Sequence, residues 1–262
     1  MLKHRLGSQA IHQALVRMLS LLPVQVQHHL QRRSRMGEQK VEQSLLAVAR
    51  NVGDDWKAGP YYDNAEHGIE SQWQTIIWPI IRDADADFTC VLELAAGHGR
   101  NSEKLRHLAR KLYVVDINQE NIAFLQRRFA DCQNITYILN DGISLRLIRD
   151  NEVTLVYSFD SMVHFDSDVV RAYLKEFQRI LKPGGLGFCH YSNYTDKPTG
   201  DYRNSPHWRN FMSSELFEHY LWKEGLVPLK SQLVDWDYSG CNLDAVTLFK
   251  KPIANADEGG MN

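Results

Sequence analysis

Strand-type and helix-type patterns alternate along the chain from about residue 88 to residue 251, and this alternation limits the fold more than any other feature. Seven short segments rich in β-branched and aromatic residues predict strands, and four amphipathic segments between them predict helices. Such an order favours parallel strands joined by helical crossovers. The last two strand segments have no helical pattern between them and predict an antiparallel hairpin. The sequence therefore predicts an α/β fold: a doubly wound, mostly parallel, Rossmann-like sheet of seven strands with a terminal antiparallel hairpin.

The predicted elements have the following bounds. The strands are 88–95, 112–117, 135–141, 153–159, 186–192, 226–236 and 244–251. The helices between them are 101–111, 119–130, 168–181 and 213–225. A further helix is predicted at 70–81, ahead of the first strand.

Residues 1–52 differ in composition from the rest, with eight Lys or Arg residues against two acidic ones. Apolar residues recur at helical spacing from Ile11 to Leu22, Pro23 is expected to end or kink that helix, and residues 41–49 predict another short helix. One interpretation is a helical extension that packs on the main domain. The other is a basic amphipathic segment that contacts a membrane surface or a partner. We therefore divide the chain into an extension at 1–52, a domain at 53–252 and a disordered tail at 253–262.

Charge and cysteine usage exclude several classes of protein. The net charge is -2 and the pI about 6.6, which gives no global electrostatic footprint for nucleic acid, so no nucleic-acid partner is expected. The four cysteines lie far apart without a CxxC pair, which predicts neither a disulfide framework nor a metal site. No apolar run reaches the roughly 18 residues of a membrane span. The start of the chain does not read as a secretory signal, and we expect a cytoplasmic protein.

The stretch VLELAAGHGRN, residues 91–101, carries the strongest ligand signal. Gly97 and Gly99 follow the first predicted strand and precede a helix, where open α/β sheets bind ligands. Glycines let a ligand approach the backbone closely, although a tight turn that binds nothing would have the same pattern. Asp116 ends the second strand, 23 residues after Glu93, and is placed to accept hydrogen bonds from ribose hydroxyls. The order of glycine turn, helix, strand and acid indicates a nucleoside ligand.

Two residues favour a sulfonium nucleoside over a dinucleotide. The nicotinamide fingerprint GxGxxG would need glycine where Ser102 stands. The charge of Glu93 would repel a diphosphate, whereas it suits a ligand that carries an amino group and a sulfonium cation. Those are the features of S-adenosyl-L-methionine, so a NAD(P)-dependent oxidoreductase is the less favoured alternative.

Five segments in this order resemble the class I S-adenosylmethionine-dependent methyltransferases over about 180 residues. They are LELAAGHGR, YVVDIN, LNDG, LVYSFDSMVHF and LKPGG. The resemblance implies S-adenosyl-L-methionine as the cofactor. Ala95 departs from the family pattern because it stands at the first glycine position, where its methyl group would crowd the methionine end of the cofactor.

The resemblance also implies a set of cofactor-binding residues at or after the strands. They are Glu93, Ala95, Gly97 and Gly99 for methionine and ribose, Asp116 for the ribose hydroxyls, Ile117 for the adenine face, Asp141 with Gly142 for the adenine edge, and Asp160 for the methionine amino group or the acceptor. For Asp141 and Gly142 a plain turn is the alternative.

The methyl acceptor is predicted from the histidines and from a long insert. His164 lies four residues after Asp160, and His190 lies near the end of the fifth strand, so both are candidates for the base that a hydroxyl acceptor needs. A structural role is the alternative for each. The insert at 193–212 is rich in Asn, Tyr, Trp, His and Arg, which suits a sugar. Its Arg209 is predicted to be a solvated surface charge, with binding of an anionic group as the alternative.

The sequence thus predicts methyl transfer to a hydroxyl of a small-molecule or glycan acceptor, with His164, His190 and Asp160 as catalytic residues. Two alternatives stay open. One is N-methylation of a small amine, and the other is a non-catalytic scaffold that binds S-adenosylmethionine and holds a partner through residues 1–52. The aromatic segment 54–73, with Tyr61, Tyr62, Glu66 and Trp73, is predicted either to cover the site or to seal the edge of the core.

Overall fold

The computed structural model describes residues 24–57, 60–236 and 240–253. The chain divides into two compact units, residues 1–45 and residues 46–262. This division lies a few residues before the boundary predicted at residue 52. The predicted helix at 11–22 and most of the predicted tail, residues 254–262, lie outside the described residues.

Helices precede the sheet. Helix α1 (Val24–Asp55) is continuous over 32 residues, whereas the sequence predicted only a short helix at 41–49. It contains Gly37, which a helix tolerates at a cost of about 1 kcal/mol. Helices α2 (Pro60–Glu66), α3 (Ile69–Gln72) and α4 (Trp78–Asp83) follow. No helix in the described part of the chain is long and apolar enough to cross a membrane.

The helix predicted at 70–81 is interrupted by a π-helical turn, Trp73–Ile77, between α3 and α4. The Trp78 N–H donates to the Trp73 carbonyl, five residues back. Pro79 explains the wide turn because its ring collides with the carbonyl four residues earlier and it has no N–H to donate.

The seven strands form one sheet in the order β3-β2-β1-β4-β5-β7-β6. Strands β1 to β5 are parallel, and β7 runs antiparallel between β5 and β6. The predicted fold class, including the terminal hairpin, is confirmed. The strands are β1 (Val91–Leu94), β2 (Leu112–Asp116), β3 (Ile135–Leu139), β4 (Val153–Met162), β5 (Leu181–Ser192), β6 (Val227–Val234) and β7 (Asp244–Lys250).

The helices between the strands are α5 (Ser102–Leu108), α6 (Gln119–Arg128), α7 (Ser167–Ile180) and α8 (Ser214–Lys223). Strands β1 and β2 are buried along their whole length, as expected for parallel strands with both faces covered. The connection from β1 leads toward β2 and β3, whereas β4 and β5 extend the sheet on the other side of β1. This reversal of strand order opens a crevice at the carboxyl ends of β1 and β4.

Candidate functional site

A cavity of about 930 Å³, which includes the part open to solvent, lies in this crevice. The walls come from the turn after β1, the ends of β2 and β4, and residues within 49–56 and 61–66. Seven predicted site residues line it: Ala95, Gly97, Asp116, Ile117, Gly142, Asp160 and His164. Four others do not: Glu93, Gly99, Asp141 and His190.

Gly97 and Gly99 of the glycine turn are each required for a different structural reason. Gly97 has a φ of 56°, and a Cβ there would collide with the Tyr62 ring, which covers the bare backbone. A Cβ on Gly99 would lie 2.6 Å from Leu125 Cδ2 and 2.7 Å from Phe129 Cε2. Gly99 is therefore needed for close packing against α6 and its end, and it does not face the cavity.

Asp116 is buried at the end of β2, where three N–H groups hold its carboxylate. Its Oδ2 accepts from Gly97 N at 2.9 Å, and its Oδ1 accepts from Asn118 N at 2.8 Å and Asn121 Nδ2 at 3.2 Å. Burial raises the pKa of Asp116 to about 6, although these hydrogen bonds oppose the shift. A carboxylate offers about four acceptor sites, so capacity for a further donor remains. Asp116 lines the cavity, and its contact with a ribose hydroxyl stays a prediction.

The side chain of Ile117 fills the space beside the next turn. A Cβ on Gly142 would lie 2.6 Å from Ile117 Cδ1, and one on Gly53 would lie 2.7 Å from Ile117 Cγ2. Asp141 points its carboxylate at its own turn, accepting from Ile143 N at 3.0 Å and from the Ser144 N and Oγ at 2.8 and 2.7 Å. This geometry favours the plain turn for Asp141, and its contact with adenine stays a prediction.

Glu93 is the acidic residue within the apolar strand β1. It accepts a hydrogen bond from the Ser102 hydroxyl and is only 2% exposed. Burial raises the pKa of Glu93 to about 8, with Ser102 and Arg100 opposing the shift. The group is therefore mostly a neutral acid at pH 7. The negative charge of Glu93, which was predicted to repel a diphosphate, is therefore largely absent. Its side chain is not among the residues that line the cavity.

Asp160 stands at the end of β4 in a left-handed conformation, with a φ of 59°. Its Oδ2 accepts from the Arg100 guanidinium and from the Tyr61 hydroxyl. Its Oδ1 is buried and has no partner among the described residues, as is also true of Trp56 Nε1 and Asn121 Oδ1. All three atoms belong to cavity-lining residues.

Buried polar atoms are normally hydrogen-bonded, so one donor and two acceptors without partners around one cavity indicate a polar ligand. A nucleoside that carries an amino acid moiety supplies hydroxyl and amino donors together with acceptor atoms. The donor set of this cavity therefore fits S-adenosylmethionine.

His164 is buried in the cavity wall, and its ring centroid lies 4.5 Å from that of Trp56. Its Nδ1 lies 2.9 Å from the Trp208 carbonyl oxygen. A carbonyl can only accept, so Nδ1 carries the proton and Nε2 of the neutral ring has the lone pair. Burial and the charge of Arg209 lower the pKa of His164 to about 4, which keeps the ring neutral at pH 7.

His190 is fully buried and does not reach the cavity. Its Nδ1 accepts from Asp160 N at 3.1 Å, and its Nε2 lies 3.1 Å from Asp244 Oδ2. Arg209 pairs with both oxygens of Asp244, at 2.8 and 2.6 Å. The prediction of a solvated charge for Arg209 was wrong. The Arg209 side chain is only 3% exposed, and it is paired with Asp244, which lies 35 residues later on β7.

The aromatic segment ahead of the sheet has both of its predicted roles. Tyr61, Tyr62 and Glu66 line the cavity, whereas Trp73 belongs to the hydrophobic core. The Tyr62 ring stacks on His98 with centroids 4.0 Å apart. Arg100 was not among the residues predicted for the site, although its place in the glycine turn next to Gly99 could have indicated it.

Part of the chain is similar in sequence to known methyltransferases. Residues 91–185 match the family model of a methyltransferase domain. Over 77 residues the chain is 34% identical to a probable ribosomal RNA small subunit methyltransferase A of Methanococcoides burtonii. That stretch is 29% of this chain and 28% of the relative, so the chain spans less than a third of the length of the curated relative that it matches.

Solved structures extend the likeness beyond the matched segment. A S-adenosylmethionine-dependent methyltransferase from Clostridium acetobutylicum superposes with a TM-score of 0.57 at 18% identity, over 74% of this chain and 100% of the other. A putative sarcosine dimethylglycine methyltransferase from Galdieria sulphuraria gives 0.56 at 16% identity, over 70% and 86%. At these identities the likenesses establish the fold.

Proposed function

Since the chain carries a methyltransferase domain of the class I, S-adenosylmethionine-dependent family, we propose that it transfers the methyl group of S-adenosylmethionine to a hydroxyl of a small-molecule or sugar acceptor. The observation that carries the oxygen acceptor is His164. Its Nδ1–H is held by the Trp208 carbonyl, which leaves the Nε2 lone pair on a ring that lines the cavity.

In this reaction the acceptor oxygen forms a bond to the methyl carbon as the sulfur–methyl bond breaks. The bound cofactor supplies both the methyl group and the leaving group. The hydroxyl proton moves to His164 Nε2. A pKa of about 4 keeps this nitrogen unprotonated at pH 7 but makes it a weaker base than a free imidazole, so we assign it the lower end, about 10², of the rate contribution of a positioned base. The aromatic wall around Trp56 and Tyr61 excludes water and aligns the acceptor, for which orientation alone can supply about 7–11 kcal/mol.

Charge pairing in the cavity supports an acceptor without negative charge. Arg100 is paired with Asp160 and also donates to the Ala65 carbonyl at 3.0 Å. An anionic acceptor would have to compete with Asp160 for this guanidinium. A neutral hydroxyl has no such cost.

A small amine is the second candidate acceptor. Asp160 Oδ1 has no partner within the described part of the chain, and the rings of Trp56 and Tyr61, with centroids 4.9 Å apart, line the same cavity. An ammonium ion prefers a carboxylate oxygen and aromatic faces, and it must release its proton before its lone pair can attack the methyl carbon. The Galdieria structure is named for amine substrates, which adds support to this alternative.

The test is transfer of radiolabelled methyl groups from S-adenosylmethionine into a fractionated lysate of the source cell. Label in the glycan or small-molecule fraction supports the proposal. Label in protein or nucleic acid contradicts the acceptor, and RNA has a specific rival claim because the Methanococcoides relative is named for ribosomal RNA. Binding of adenosylhomocysteine without any label favours the non-catalytic scaffold. In that case deletion of residues 1–52 should abolish the partner complex.

A His164→Asn variant then separates oxygen from amine acceptors. The Asn amide retains an N–H donor near the Nδ1 position for the Trp208 carbonyl but removes the base. For a hydroxyl acceptor we expect kcat to fall by about 10² while adenosylhomocysteine still binds. A loss of only a few-fold would contradict the role of His164 as base and favour the amine.

A further inference from the structure

A chain of buried polar groups runs from the insert to the cavity wall. Arg209 donates to both oxygens of Asp244, Asp244 accepts from His190 Nε2, and His190 Nδ1 accepts from the Asp160 N–H. Asp160, His190, Arg209 and Asp244 are each at most 8% exposed. Nothing in the proposed methyl transfer uses this chain directly.

The direction of each hydrogen bond follows from the one fixed donor. A backbone N–H can only donate, so His190 Nδ1 is the acceptor and cannot carry a proton. The Nε2 of the neutral ring then carries the proton and donates to Asp244. The ring itself is held between Phe159 and Trp236, with centroids 4.6 and 5.1 Å from that of His190.

This series of hydrogen bonds ends at Asp160, whose backbone conformation is the least favourable of the four residues. Asp160 has a φ of 59°, a conformation that is strained for a non-glycine residue, so surrounding contacts must hold it. The hydrogen bond to His190 fixes the N–H of this residue. The same backbone directs the carboxylate to Arg100 and Tyr61, and among the described residues Oδ1 has no partner.

At its other end, the series of hydrogen bonds begins at Arg209 in the insert 193–212, directly after two residues with an unusual backbone conformation. His207 and Trp208 have φ values of 48° and 57°, two successive residues in left-handed conformation. The Trp208 carbonyl fixes the proton on His164, and the next residue, Arg209, holds Asp244. A buried ion pair contributes little net stability compared with apolar packing, so its role is better sought in geometry.

We propose that Arg209, Asp244 and His190 are positioning residues that hold the Asp160 backbone, and with it the Asp160 carboxylate, at the cofactor-binding cavity. His190 therefore acts through Asp160 and touches neither cofactor nor acceptor. This inference rests on the proposed function, because it assigns the chain to the binding of S-adenosylmethionine or its product.

Two substitutions of His190 test the proposal. His190→Asn places an amide oxygen near the Nδ1 position, so the Asp160 N–H keeps an acceptor while the donor to Asp244 is lost. His190→Gln places its amide near Nε2, so Asp244 keeps a donor while the Asp160 N–H loses its acceptor. By calorimetry we expect His190→Asn to bind adenosylhomocysteine about tenfold more tightly than His190→Gln. Equal affinities, or tighter binding by His190→Gln, would overturn the proposal.

Two controls separate positioning from mere stability. The unfolding midpoints of the two variants should be similar, because each loses one hydrogen bond of the same buried ring. If either variant fails to fold, nitrogen NMR of His190 in the wild-type protein decides the matter. A proton on Nε2 alone is expected, and a proton on Nδ1 would overturn the proposal.

The two failures are distinguishable. A wild-type protein that binds no adenosylhomocysteine and transfers no methyl group contradicts the proposed function. A wild-type protein that binds it, with a protonated Nδ1 or with equal affinities in the two variants, contradicts only the positioning chain.

Discussion

Replacing Glu93 with glutamine should change how the stability of the protein depends on pH. Burial raises the pKa of Glu93 from 4.5 to about 8, so between these values the folded protein holds a proton that the unfolded chain has released. The sign follows from linkage: stability falls as pH rises wherever the folded state binds more protons. The slope from this one group is about 1.4 kcal/mol per pH unit, and over the whole window it sums to about 5 kcal/mol.

Glutamine mimics the protonated acid, because its oxygen still accepts from the Ser102 hydroxyl, and it does not titrate. The difference in unfolding free energy between Glu93→Gln and wild type should therefore rise by about 2.3 kcal/mol in favour of the variant from pH 6 to pH 8, because the slope falls to half as pH reaches the folded pKa. Urea unfolding followed by circular dichroism at pH 6, 7 and 8 measures this difference. Glu120→Gln, on the exposed first turn of α6, is the matched control and should show no such trend. A pH-independent difference for Glu93→Gln would refute the assignment of a neutral buried acid.

Three further substitutions test single contacts of the cavity. Asp116→Asn removes the charge that a ribose hydroxyl would meet, and adenosylhomocysteine affinity measured by calorimetry should fall about 10- to 150-fold, since hydrogen bonds to charged groups are worth roughly 1.5–3 kcal/mol; an unchanged affinity would contradict the ribose role. Ala95→Gly removes the strain of a left-handed residue, whose φ is 54°. Relief of this strain stabilises the folded state by about 1–2 kcal/mol, whereas the backbone entropy of glycine costs about 0.4–1 kcal/mol. We therefore expect a small net stabilisation in urea unfolding, and a clear loss of stability would show that Ala95 is not strained. Tyr61→Phe removes a hydroxyl that donates to the buried Asp160 carboxylate, and unfolding free energy should drop by about 1.5–3 kcal/mol; no change would mean that Arg100 alone satisfies that oxygen.

The sheet could be predicted because its strands are short apolar runs separated by helical patterns. Strands buried on both faces leave few alternatives for such segments. The length of α1 was not predictable, because its polar and apolar residues give no signal for where one helix would end. The π-helical turn before α4 was also missed, although Pro79 marks the place where a regular helix cannot continue.

Site residues were predictable where the local backbone, such as the end of a strand, determines the residue type. They were less predictable where the interaction partner is distant in sequence. Gly97 and Asp116 follow strand ends and meet at 2.9 Å. His164 and His190 looked equivalent, since both lie near strand ends. Only the three-dimensional register shows that His190 lies in the paired part of β5, opposite Val246 of β7, whereas His164 lies beyond β4. Asp244, the partner of His190, is 54 residues away and carried no local signal.

Two aromatic segments of the proposed acceptor wall lie outside the part of the chain that matches the methyltransferase family model, although His164 lies within it. Residues 91–185 contain the glycine turn, Asp116 and Asp160. The wall that an acceptor would meet adds Trp56, from just beyond α1, and the insert reaches it through Trp208, with ring centroids 5.6 Å apart. The family likeness therefore covers the residues predicted to bind the cofactor. Exchanging Trp208 for phenylalanine should alter which acceptor is methylated more than it alters adenosylhomocysteine affinity, because its ring packs on Trp56 and lies outside the matched segment in which the nucleoside contacts are predicted.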